Sequence, residues 1–167
     1  MNSPEGAGPA SETLYAKVLT VSDGVVAGTR VDTSGAALVE QLLAAGFVVA
    51  DHRVTADGVA SVAGALLDMT SGFAGLIVTT GGTGFAPRDQ TPEGTRAVLE
   101  REAPGIAEAC RQVNPLGRLS RGVAGTVGAN IIVNLPGSPK GCVEQLAAVL
   151  DVLPHALRLL ADTPTAH

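Results

Sequence analysis

TTGGTGFAPRDQTPE, Thr79 to Glu93, overlaps the end of an apolar run, GLIVTT, and leaves it through three glycines toward a proline-started segment behind an Arg-Asp pair. A continuous apolar run bounded by glycines is the pattern of a parallel strand covered on both faces. Gly81, Gly82 and Gly84 permit positive φ and let backbone N–H groups approach an anion closely. Thr91, Pro92 and Glu93 read as a helix start, with Thr91 as N-cap and Pro92 at the first helical position. Such an end favours negative charge. Arg88 offers a fixed, bidentate donor to phosphate. Asp89 is unsuited to an anion but suits the Mg²⁺ that accompanies nucleotide phosphates. The other reading of the same residues is a tight turn with a surface Arg–Asp pair.

Similar punctuation recurs outward from this stretch. Upstream, LYAKVLTVSD (Leu14–Asp23) reads as a first strand and GVVAGTRVDTSG as a long loop. Asp32, Thr33 or Ser34 caps a helix from Gly35 to Ala45, with Leu38, Val39, Leu42 and Leu43 on one face and Gly46 as its stop. FVVADHRV gives a second strand and VASVAGALLDMTS a second helix. Downstream, the pattern predicts helix as far as Gln112, broken at Pro104-Gly105. LSRGVAGTVG reads as neither clear strand nor helix. NIIVNLPG is another buried strand, and Ser138-Pro139 starts a last helix kinked at Pro154.

Strands alternating with helices predict a three-layer α/β/α domain with a mostly parallel sheet, spanning residues 14–167 behind a disordered tail over residues 1–13. Ligands of such sheets sit outside the carboxyl ends of the strands. The loops after the first, third and last strands are the unusual ones, and all three are expected at that edge.

Composition narrows the chemistry. The chain has 167 residues and is 46% hydrophobic, enough for one full core. Aromatics make up 2% and the net charge is −5, which argues against stacking platforms or a basic field for nucleic acid or anionic membrane. A phosphate ligand must therefore be met locally. Cys110 and Cys142 lack metal or redox spacing, and with His52 and His155 they read as structural. The start has no basic or apolar leader pattern, so the expected location is the cytoplasm, with no membrane partner. GxxxxGK[ST], GxGxxG and GxSxG patterns all fail.

Five further positions carry alternatives. In NLPGSPKG, Pro136 and Gly137 set the strand exit, while Ser138 and Lys140 offer a second anion site or simply a capped helix. Asp57 reads either as a cap for the segment from Gly58 or as a second carboxylate at the same edge, and Asp23 has the same two readings. Arg121 reads as a ligand contact or as a solvated charge.

With these pieces the chain resembles the molybdopterin adenylyltransferase family, the bacterial Mog-type proteins and the related domains of gephyrin and its plant counterpart. The resemblance is carried by TVSDGVVAG with DTSG, TTGGTGFAPRDQTPE, EREAPG (Glu100–Gly105), LSR (Leu119–Arg121) and NLPGSPKG. It implies adenylylation of molybdopterin by Mg-ATP, with Asp57 and Asp89 as catalytic carboxylates that hold Mg²⁺. It implies a nucleotide loop at Gly81, Gly82, Thr83 and Gly84, which Arg88 joins. On the molybdopterin side it implies Ser120, Pro136, Gly137 and Ser138, joined by Asp23, Arg121 and Lys140. A homotrimer and hand-over to a molybdenum insertase are further implications. The chain departs from the family at Ala56-Asp57-Gly58, where Pro-Asp-Asp or Pro-Asp-Glu is usual. Its DTSG is similar to Moa-type paralogues, for which the alternative is a molybdopterin-binding carrier or regulatory subunit without turnover.

Overall fold

The computed structural model describes residues 12–162, so the expected tail lies almost wholly outside the described residues. Six strands form one sheet: β1 (Tyr15–Val21), β2 (Val48–Thr55), β3 (Gly75–Thr80), β4 (Arg101–Glu102), β5 (Ala124–Val127) and β6 (Asn130–Leu135). Their order is β2-β1-β3-β6-β5-β4. The first four strands in that order run parallel, and β5 and β4 continue the sheet antiparallel.

Every residue of β3 and β6 is buried, as expected of both strands, and β6 buries Asn130 and Asn134 beside its aliphatic residues. The two faces separate by strand alternation. Val18, Val78 and Val133 pack with Leu38, Leu42, Leu146 and Leu153 on one side. Leu19, Ile77 and Ile132 pack with Val62, Leu66 and Met69 on the other. The helices that cover the first side are α2 (Thr33–Ala44), α5 (Pro104–Gln112), α6 (Pro139–Ala147) and α7 (Leu153–Leu160); α3 (Val59–Thr70) covers the second. Three layers result.

Several local expectations are corrected. The stretch after β1 is not all loop: Ser22 accepts from the Val25 N–H and caps a helical turn, α1 (Asp23–Val26). Asp32 is the cap of α2, accepting from Gly35 N–H, and the helix starts at Thr33. The helix after the glycine loop, α4 (Thr91–Arg96), has Gln90 at its cap position. Thr91 is no cap, because its hydroxyl donates to the Gly81 carbonyl at 2.9 Å. Pro104 opens α5 rather than breaking a longer helix. Pro154 stands in the first turn of α7, separate from α6, where its missing N–H has no intrahelical acceptor to lose.

Chain order puts β2 on one side of β1 and β3 on the other. The loops leaving β1 and β3 therefore diverge, and a crevice opens between their carboxyl ends.

Candidate active site

A cavity of about 850 Å³ occupies that crevice. Of the expected residues, Asp57, Gly81, Gly82, Thr83, Gly84, Asp89, Ser120, Pro136, Gly137, Ser138 and Lys140 line it. Asp23, Arg88 and Arg121 are close by in the chain but do not.

The glycine loop is held from behind by its carbonyls. Gly81 O accepts from the Thr91 hydroxyl and Gly82 O from the Thr91 N–H. Thr83 O accepts from the Arg121 N–H, and Gly84 O from Arg121 Nε. The N–H groups of Gly82, Thr83 and Gly84, three cavity-lining residues in succession, donate to nothing among the described residues. This is the arrangement of an anion nest. α4 is only six residues long, so any anion contact here rests on these amides and not on a helix dipole.

Two of the glycines are required by geometry. Gly81 has φ 99° and Gly82 φ 68°. A Cβ on Gly81 would strike the Val21 carbonyl, and one on Gly82 the Thr91 hydroxyl, with Asp57 Oδ1 at 3.2 Å.

The two carboxylates border this loop at different glycines. Asp57 Oδ1 approaches Gly82, and Asp89 Oδ2 lies 2.9 Å from where a Cβ of Gly84 would sit. Asp57 Oδ2 accepts from the Asp23 N–H at 2.9 Å, and Asp89 Oδ2 from the Ala86 N–H at 3.0 Å. In each, Oδ1 accepts from no group among the described residues.

The arginines grip the backbone instead of opening toward the cavity. Arg88 takes both Asp23 carboxylate oxygens and donates Nη2 to the Asp57 carbonyl at 2.9 Å. That pairing holds the exposed Asp23 carboxyl below its ordinary value and raises the Arg88 guanidinium. Arg121 pairs with Glu93 and donates Nη2 to the Asp89 carbonyl at 2.5 Å. Its hydrogen bond to Glu93 lowers that carboxyl's pKa.

The start of α6 forms another part of the wall, next to the glycine loop: a Cβ on Gly137 would lie 3.4 Å from Gly81 Cα. Ser138 Oγ accepts from the Gly141 N–H at 3.0 Å, and Thr80 Oγ1 donates to Pro136 O at 2.8 Å. Lys140 Nζ lies 3.7 Å from Glu144 Oε1. Cys110 and Cys142 are free and buried, and burial pushes both thiols up to about 11, so neither is a nucleophile near neutral pH.

Sequence reading passes over Ser22, Arg30, Asn114, Glu144 and Gln145, which also line the cavity. Glu144 is one helical turn beyond Lys140, a spacing that points it to the same wall. Asp32, singled out only as a cap, also lines the cavity, accepts from Thr20 Oγ1 at 2.7 Å and lies 2.9 Å from His52 Nε2.

Residues 17–155 match the sequence family described as a probable molybdopterin binding domain. A molybdopterin adenylyltransferase from Helicobacter pylori is 35% identical over 156 residues, 89% of each chain. A gephyrin from Dictyostelium discoideum is 34% identical over 98% of this chain, which spans only 26% of that protein's length. In three dimensions, the molybdopterin biosynthesis enzyme MoaB from Thermus thermophilus superposes with a TM-score of 0.84 at 47% identity, covering 91% of this chain and 99% of that one.

Proposed function

The chain belongs to the family of probable molybdopterin-binding domains, and on that premise we propose that it is a molybdopterin adenylyltransferase of molybdenum cofactor biosynthesis. An oxygen of the terminal phosphate of molybdopterin forms the new bond to the α-phosphorus of ATP. The bond from that phosphorus to the oxygen bridging to the β-phosphate breaks, and pyrophosphate leaves with that oxygen.

The observation that carries this reading is the amide-lined glycine loop, bordered by two carboxylates that each keep one oxygen unengaged. In this reading the N–H groups of Gly82, Thr83 and Gly84 hold the phosphates of ATP. Ser120, Pro136, Gly137, Ser138 and Lys140 form the wall for molybdopterin. Arg88, Asp23 and Arg121 are positioning residues, acting through Asp57 and the 83–89 segment. No covalent protein nucleophile is needed, so rate comes from alignment and charge neutralisation.

Mg²⁺ takes one or two protein carboxylates and completes its octahedron with water and substrate phosphates. Asp57 and Asp89 fit that demand and are the residues that would hold it. When bound, Mg²⁺ supplies neutralisation of the charge that builds on the reacting phosphates.

The remaining elements of the proposal follow the family resemblance: a homotrimer in the cytoplasm, whose product passes to a molybdenum insertase. Among the described residues, no helix is long and apolar enough to cross a membrane.

The test is pyrophosphate release from Mg-ATP with and without molybdopterin. Release that requires molybdopterin supports the enzyme. Tight molybdopterin binding without release would make the chain a carrier.

A further inference from the structure

We infer that Arg30, seated on Gly24, is the guanidinium that binds a phosphate group of the substrates at the solvent side of the cavity; the inference rests on the adenylyl-transfer reading. The cavity lining carries four carboxylates, Asp32, Asp57, Asp89 and Glu144, against two cations, Arg30 and Lys140. Anionic substrates entering such a lining need a cation that is not already neutralised. Lys140 leans toward Glu144. Arg88 and Arg121, the guanidiniums flanking the glycine loop, are engaged by Asp23 and Glu93. Arg30 has no hydrogen-bond or ion-pair partner for its guanidinium among the described residues.

Its seat is built. The Gly24 carbonyl collects three donors, Thr29 N–H at 2.9 Å, Arg30 N–H at 3.1 Å and Thr29 Oγ1 at 3.1 Å, which fold the chain back on α1. Gly28, at φ 75°, closes that turn. A Cβ on Gly24 would lie 2.9 Å from Arg30 Cγ, and Cδ would also have to move. Glycine is disfavoured within a helical turn, and at Gly24 the side chain it makes room for is the Arg30 stem. A planar fork carried on a closed turn loses less freedom on binding a phosphate than a side chain on an open loop.

The experiment is calorimetric titration of wild type, Arg30→Ala, Arg30→Lys and Gly24→Ala with three probes: inorganic tripolyphosphate, Mg-ATP and molybdopterin. Arg30→Ala is expected to weaken at least one probe about tenfold, the scale of a hydrogen bond to a charged group. The loss should shrink as salt rises. Arg30→Lys should keep part of the affinity, since the charge stays and the fork is lost. Gly24→Ala should behave as Arg30→Ala. Whichever substrate loses affinity, Mg-ATP or molybdopterin, identifies the phosphate that Arg30 meets. Arg30 is exposed, so its variants should fold, and they decide the matter even if Gly24→Ala does not. Affinities of Arg30→Ala within twofold of wild type for all three probes overturn the inference, as does a wild type that binds none. Tripolyphosphate binding that depends on Arg30, with no adenylylated product, would keep Arg30 and remove the functional reading.

Discussion

Arg121 holds Asp89 by its main-chain carbonyl, with Nη2 2.5 Å from that oxygen, and leaves the Asp89 carboxylate to line the cavity. Arg88 does the same to Asp57, with Nη2 2.9 Å from its carbonyl. Each candidate carboxylate is thus fixed through its backbone by a guanidinium that is itself anchored on an acid, Glu93 or Asp23. The acids at the cavity are positioned without being neutralised.

Arg121→Ala removes donors to Gly84 O and Asp89 O together with the Glu93 pair. Bonds from a charged donor contribute about 1.5–3 kcal/mol each when shielded, and less at this half-exposed site. The expected loss is about 2 kcal/mol, a fall in Tm of roughly 4–8 °C. Arg121→Lys should recover little, because an ammonium cannot span both carbonyls. Thermal melts of the three proteins check this.

Glu93 gives a pH signature. Its folded pKa is lowered from 4.5 by the Arg121 hydrogen bond, so its contribution is present above that value and disappears as pH falls through the lowered one. Denaturant titrations between pH 7 and 3 should show wild type losing more stability below about pH 4.5 than Glu93→Gln. The difference will be small, since the Glu93 side chain is 41% exposed.

Gly82→Ala and Gly28→Ala separate strain from space. Both glycines have positive φ, but a Cβ on Gly28 meets nothing within 4 Å while one on Gly82 strikes Thr91. Gly28→Ala should lose about 1–2 kcal/mol from backbone conformation alone. Gly82→Ala should lose more, and nucleotide binding with it. Equal losses in urea unfolding would mean that the loop behind Gly82 gives way freely.

The two thiols should be silent in the native protein. With pKa values pushed to about 11 by burial, Cys110 and Cys142 should resist a thiol reagent at pH 8 and react only on unfolding. Unfolded thiols ionise near 8.5, so keeping both thiols protonated in the fold should also lower stability as pH rises from about 9 toward 11.

What was legible divides along physical lines. GLIVTT and NIIVNLPG announce buried parallel strands through their aliphatic runs Leu76–Val78 and Ile131–Val133, and they pair in register from Gly75 with Asn130 to Thr80 with Leu135. The glycine loop announces itself because positive φ at Gly81 and Gly82 excludes most other residues. Pro104 and Pro154 mark boundaries, but a proline alone does not say whether a helix ends or begins there. The turn at α1 depends on three donors meeting one carbonyl, which no local periodicity signals. The roles of the arginines are tertiary facts: Arg88 meets an aspartate 65 positions away, and Arg121 a carbonyl 32 positions away. Sequence supplies the guanidinium but not its partner.

In the proposed reaction Asp57 and Asp89 act by charge at the glycine loop, and the decisive measurement is single-turnover formation of adenylyl-molybdopterin by Asp89→Asn at saturating Mg-ATP. Asparagine keeps a side-chain oxygen for the Ala86 N–H, so fold and molybdopterin affinity should survive. Turnover should fall by about 10²–10³, the scale of losing one preorganised electrostatic contact. Asp57→Asn should act similarly, with the double variant no worse than the product of the singles, since both carboxylates serve one charge. An Asp89→Asn protein turning over within threefold of wild type would contradict the account, and Asp89 would then be only the residue whose carbonyl Arg121 holds.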